Sequence, residues 1–196
     1  MPIFNATAVS YAKGAERLLG EDADFLNENP DMVPQFVNAL FQALEISLKE
    51  VGNRSCLTNR NETRGGRSCL IGNGHDIEKL GNLLRYRLGN VSTRRLARVL
   101  TDGIENGASA IIEIMIFGEV FAPTRTSYKK RKLVYHAELE EGDIQIVQGV
   151  KPWVDAVKAV AENIDNAVAL IERWKNSGST ISFDDWYIRE NSFLYD

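Results

Sequence analysis

One long helix dominates what this chain can become. Val37, Leu40, Phe41, Leu44, Leu48 and Val51 recur at steps of three, one, three, four and three. Side chains at that period share one side of an α-helix, so the stretch carries an apolar stripe facing a core. A helix from about 32 to 51 runs roughly 30 Å at 1.5 Å per residue, long enough to cross a small domain. Gly52 and Asn53 are expected to stop it.

The flanking segments repeat the pattern. Tyr11, Ala15, Leu18 and Leu19 predict a first helix over 5–19, closed by Gly20. Ile77, Leu80, Leu83, Leu84 and Leu88 predict a third, entered at His75-Asp76 and closed by Gly89. Ser92 and Thr93 offer caps to a fourth, expected to run to about Phe117 on Leu96, Val99, Leu100, Ile104, Ala108, Ile111 and Met115. Pro152 suits the first turn of a fifth, whose face is Trp153, Val157, Val160, Ile164, Val168, Ile171 and Trp174. The fold class that follows is all-α, a four- to five-helix up-and-down bundle. A chain of 196 residues fits one such domain, 1–196. At that length it buries roughly 70% of its extended surface and needs no structural metal.

Three segments depart from the bundle. Residues 53–74 are rich in Asn, Arg, Gly, Ser and Thr, and read as an arginine-rich loop longer than usual connections. Residues 132–148 change period: Leu133, Tyr135, Ala137 and Leu139 alternate with more polar positions, and Glu141-Gly142-Asp143 makes a turn, predicting a small β-hairpin. The tail, 179–196, carries Ile181, Phe183, Trp186, Tyr187, Ile188, Phe193, Leu194 and Tyr195. That is too apolar for a loose end, so it either closes over the bundle or packs on another subunit.

Charge is uneven. Residues 54–98 hold nine arginines and Lys79 against three acids, a net +7, so the remainder of a chain at -4 carries -11. Such a patch can focus an anionic partner, although a solvated arginine-rich surface is the plainer reading. Cys56 and Cys69 sit in repeated Arg-Ser-Cys-Leu strings. Two cysteines and two separated histidines offer no zinc spacing, so no metal site and no cofactor are expected. The start at Met1-Pro2-Ile3-Phe4 lacks the pattern of a signal peptide, and the longest apolar stretch is interrupted by Glu113 and Glu119. The expectation is a cytoplasmic protein without a membrane partner.

Phosphate-loop, dinucleotide, metalloprotease and nucleophile-elbow motifs are all missing. The histidines remain. His75 and Asp76 stand at a helix start, where capping is the plain role, and proton transfer beside an arginine-rich loop is the chemical one. His136 follows Arg131 in a basic run, Lys129-Lys130-Arg131-Lys132. Arginine can clamp a phosphate while histidine moves a proton, the chemistry that RNA cleavage through a 2'-hydroxyl needs. An offset of five places the pair on opposite faces of a regular strand, so cooperation requires Arg131 to precede it. Arg64, Arg67, Arg85, Arg94 and Arg95 are the further candidates for anion binding. Glu45, inside the apolar second helix, and Glu113 read as polar contacts across the bundle.

The strings Gln42-Ala43-Leu44-Glu45-Ile46-Ser47-Leu48-Lys49 and Gly74-His75-Asp76-Ile77-Glu78-Lys79-Leu80 resemble the HEPN superfamily, the helical nucleotide-binding domain of higher eukaryotes and prokaryotes. The likeness covers 5–115, with 151–175 as a closing helix. It implies a homodimer linked to toxin–antitoxin, phage-defence or RNA-processing systems. Active members use an arginine followed by a histidine after four to six intervening residues, normally on a helix near the dimer interface. Arg131 and His136 meet that spacing, whereas Arg67 and His75 have seven residues between them. The expected function is a HEPN-like module binding RNA, a nucleotide or a protein partner without established catalysis. The alternatives are a metal-independent endoribonuclease using Arg131 and His136, and a purely structural interaction module.

Overall fold

The computed structural model describes residues 7–20, 26, 28–55, 75–102, 105–112, 122–132, 150–178 and 180–191. Among them every regular element is helical. These are α1 (Ala8–Leu19), a 3-10 turn (Pro30–Met32), α2 (Val33–Arg54), α3 (Ile77–Arg87), α4 (Thr93–Leu100), α5 (Glu105–Ile112), α6 (Ala122–Lys129), α7 (Lys151–Glu162), α8 (Ile164–Asn176) and α9 (Phe183–Glu190). The hairpin expected at 132–148 falls almost wholly outside the described residues. So do 56–74 of the arginine-rich loop, and with them Arg64, Arg67, Cys56 and Cys69. Glu113, His136 and the last residues, 192–196, are outside as well.

The dominant stripe does what its spacing demands. Val37, Leu40, Phe41, Leu44, Leu48 and Val51 are all buried, and α2 packs against α1, α3, α7 and α8. Fully burying a side chain such as Phe41 or Leu44 contributes about 1.5–3 kcal/mol, so this one helix anchors much of the core. It also runs past its expected stop. Gly52 is buried inside it and the helix continues to Arg54. The Ser55 hydroxyl donates to the Val51 carbonyl, and Lys175 Nζ donates to the Ser55 carbonyl at 2.7 Å. Those bonds satisfy carbonyls that a free helix end leaves open.

Local signals set the other ends. Thr7 and Ser10 form a capping box on α1, and Gly20 leaves it at φ 71°. Asp76 caps α3 by accepting from Lys79 N at 3.0 Å, and Gly89 turns the chain at φ 77°. Ser92 caps α4 through Arg95 N at 3.1 Å.

Two predicted helices are broken. The fourth stops at Leu100: Thr101 bonds back to Ala97 and Asp102 takes a left-handed φ of 53°. The fifth divides at Asn163 into α7 and α8. Both breaks meet at one side chain, because Asn163 Nδ2 donates to the Val99 and Leu100 carbonyls at 2.9 and 3.1 Å. Asn163 thus closes the end of α4 from across the bundle.

The described part of the apolar tail, α9, packs on its own chain. Phe183 and Trp186 of α9 are buried, with Phe183 edge-on to Trp174 of α8 at 5.4 Å. Asp184 accepts from Ser92 N and from Arg95 Nε, both at 3.0 Å, and pins α9 to the start of α4. No helix among the described residues is long and apolar enough to cross a membrane.

Candidate functional site

A second, polar stripe runs along α2 beside the apolar one. Asn38, Gln42, Glu45 and Lys49 recur at steps of four, three and four, which again is helical spacing. Glu45 is 5% exposed, and a carboxylate that deep is stable only with partners. Lys49 Nζ, one turn on, pairs with Oε1. The Tyr128 hydroxyl donates to Oε2 at 2.6 Å, and His75 Nδ1 lies 2.9 Å from the same oxygen. Burial alone raises the Glu45 carboxyl, but the bonds from Lys49, Tyr128 and His75 outweigh it and hold the group below its ordinary value. Burial and the adjacent Glu45 charge push the Tyr128 hydroxyl up, which keeps it a donor.

Tyr128 comes from α6, the helix just before the basic run. Its ring packs on Phe41 at 5.3 Å and meets the His75 ring edge-on at 5.9 Å. The chain then turns. Lys130 and Arg131 bond back to the Thr126 and Tyr128 carbonyls, and Arg131 takes a left-handed φ of 61°. For a residue with a Cβ that conformation costs about 1–2 kcal/mol, so the surroundings must hold it. What holds it is visible: the Arg131 guanidinium bonds His75 Nε2.

Both nitrogens of His75 are therefore engaged, with a carboxylate on Nδ1 and a guanidinium on Nε2. The partners assign the tautomer. Nδ1 carries the proton toward Glu45, and the Nε2 lone pair accepts from Arg131. Asn38, Gln42, His75, Tyr128 and Arg131 enclose a cavity of about 20 Å³, room for roughly one water-sized group. Asn38 Oδ1 is buried there with no hydrogen-bond partner among the described residues.

A larger groove, about 450 Å³, opens at the adjoining residues. Its lining includes Asp76, Lys79, Asn82, Thr126 and Lys129. Lys129 Nζ pairs with Asp76 Oδ2 at 2.6 Å. Burial raises the Asp76 carboxyl, but the bonds from Lys129 and the Lys79 amide leave it below its ordinary value. Asp76 in turn raises the Lys129 ammonium. The groove mixes charges of both signs, with Lys79 and Lys129 as its cations. Among the described residues no three His, Cys, Asp or Glu side chains converge as a metal site would require.

The candidates read from sequence therefore separate. His75, Asp76 and Arg131 come together. Arg85 is used at the α3–α4 turn, where Nε donates to the Val91 carbonyl at 3.0 Å. Arg95 binds Asp184 and lies 4.5 Å above the Tyr187 ring, holding α9 in place. Arg94 is exposed on α4. Glu45, read as a polar contact across the bundle, is the hub, and Tyr128 joins it from outside the sequence candidates. The four-step polar stripe on α2 was the available signal for Glu45. Nothing local marks Tyr128 as its partner, 83 positions away.

The chain matches no protein-family model, no curated protein and no solved structure.

Proposed function

We propose that this chain is a HEPN-like helical module that binds RNA or a nucleotide, taking a phosphate at the Arg131–His75 pair beside the Lys129 groove. The observation that carries the reading is the Arg131 guanidinium held against His75 Nε2 in a left-handed turn. A guanidinium so placed is preorganised, and its donors match phosphate oxygens bidentately. Lys129 and Lys79 add positive charge in the adjoining groove. Glu45, Lys49 and Tyr128 act here as the frame that orients His75. The HEPN likeness extends the proposal to a cytoplasmic homodimer serving a defence or toxin–antitoxin system.

The test is binding of a short fluorescent single-stranded RNA across a salt series. Affinity should fall as salt rises, because each neutralised phosphate releases counterions. Arg131→Gln and Lys129→Gln should each weaken binding and reduce the salt slope by about one. Binding that ignores salt and both variants would sink the reading.

A metal-independent endoribonuclease is the second reading, and one observation favours it. A carboxylate on Nδ1 orients a histidine as a general base, and Nε2 takes that role once a substrate phosphate draws the Arg131 guanidinium off it. Arg131 now has a histidine beside it that is not the one its spacing suggested. RNA cleavage surviving a chelator, abolished by Arg131→Gln, would support this reading. Comparing His75→Ala with His136→Ala then identifies the base.

A further inference from the structure

A second groove lies away from the Glu45 hub and independent of the reading above. It is about 280 Å³ and sits among α4, α8 and α9. Arg98, Asp102, Asn163, Asn166, Arg173 and Tyr187 contribute to its lining. Asn163 is 7% exposed, and its Nδ2 is committed to the Val99 and Leu100 carbonyls. Those two bonds leave no doubt about which end of the amide is oxygen, because an oxygen there would face only acceptors. Asn163 Oδ1 then has no hydrogen-bond partner among the described residues. A buried acceptor left open is uncommon and asks for a donor.

We infer that this groove binds a small hydroxylated phosphate monoester, a polyol or sugar phosphate. Charge sets the orientation. The phosphate goes to the guanidiniums of Arg98 and Arg173, presented from different helices, while the Asp102 carboxylate repels it. The hydroxyls go to the acceptors, the Asp102 carboxylate and Asn163 Oδ1. That oxygen is shielded from bulk solvent, so a donor reaches it only by seating in the groove and shifting its wall. Size and rings argue against a nucleotide. The volume falls at the small end for ligand sites. Tyr187, the aromatic side chain in the lining, already carries Arg95 over its ring, so a base would compete with that contact.

The experiment is calorimetric titration of the full chain with glycerol 3-phosphate, methyl phosphate and inorganic phosphate. Glycerol 3-phosphate should bind saturably and roughly ten-fold tighter than methyl phosphate, which lacks the hydroxyls. Arg173→Gln, a substitution at an exposed position, should weaken it at least about five-fold without moving the unfolding midpoint. Arg131→Gln should leave it unchanged, which separates this groove from the proposed RNA site. Equal affinity for all three probes would reduce the groove to a simple anion patch and overturn the inference. So would no saturable binding, or an Arg173→Gln variant that binds normally.

Discussion

Two buried polar side chains, Glu45 and Asn163, have been treated by the fold in opposite ways. Glu45 receives Lys49 on one oxygen and both Tyr128 and His75 on the other. Asn163 spends its amide hydrogens on two helix-end carbonyls and leaves its oxygen without a partner among the described residues. The first site is closed on itself, so anything it binds must compete with an internal bond such as Arg131 to His75. The second has an open valence and a cavity beside it. Saturation marks a hub that holds elements together, and an unfilled acceptor beside a groove marks a place where a ligand can add a bond.

The sharpest break in that comparison is Glu45→Ala. It strands the donors of Lys49, Tyr128 and His75 together, and should cost about 3–5 kcal/mol in a chemical denaturation curve. A loss under about 1 kcal/mol would show that the hub is no hub. Asn163→Ala comes next, at about 1–2 kcal/mol, because it strands two carbonyls but also removes an unsatisfied oxygen. A cost equal to that of Glu45→Ala would erase the contrast. Asp184→Ala removes the bonds to Ser92 N and Arg95, and should cost about 1 kcal/mol, read as faster hydrogen exchange in α9.

Acid makes the finest distinction. The Glu45 carboxyl is held below its ordinary value in the folded chain, so its contribution is fully present above about pH 4.3. It is lost as pH falls through the lower, folded value. Glu45→Gln should therefore be less stable at neutral pH yet show a shallower acid limb in pH-dependent melting. An unchanged acid limb would mean that Glu45 is not the carboxyl that counts. Asn163→Ala should leave that limb untouched.

Much of the scaffold was legible because it rests on neighbours three or four positions apart. The apolar stripe from Val37 to Val51 is buried as its spacing demands, and Asp76, Ser92 and Gly89 stand at the helix ends they mark. Half of the candidate site was legible on the same ground. His75 and Asp76 stood out at a helix start, and Arg131 stood out in a basic run. The helix breaks were not legible. Leu100 to Ile111 continues an apolar period across Thr101 and Asp102, and Val160 to Ile164 does the same across Asn163. Periodicity reports which residues are apolar, not where a carbonyl finds a better partner than the next amide.

By itself, then, the sequence determined the helices that must bury a stripe, the caps that begin several of them, and a polar line on α2 that had to find partners. The tertiary structure alone decided who those partners are. Tyr128 reaches Glu45 from 83 positions away, Arg131 reaches His75 from 56, and Asn163 reaches the end of α4 from 64. The physical reason is that a buried polar group needs a partner of the right kind, and any part of the chain that packing brings close enough can supply it.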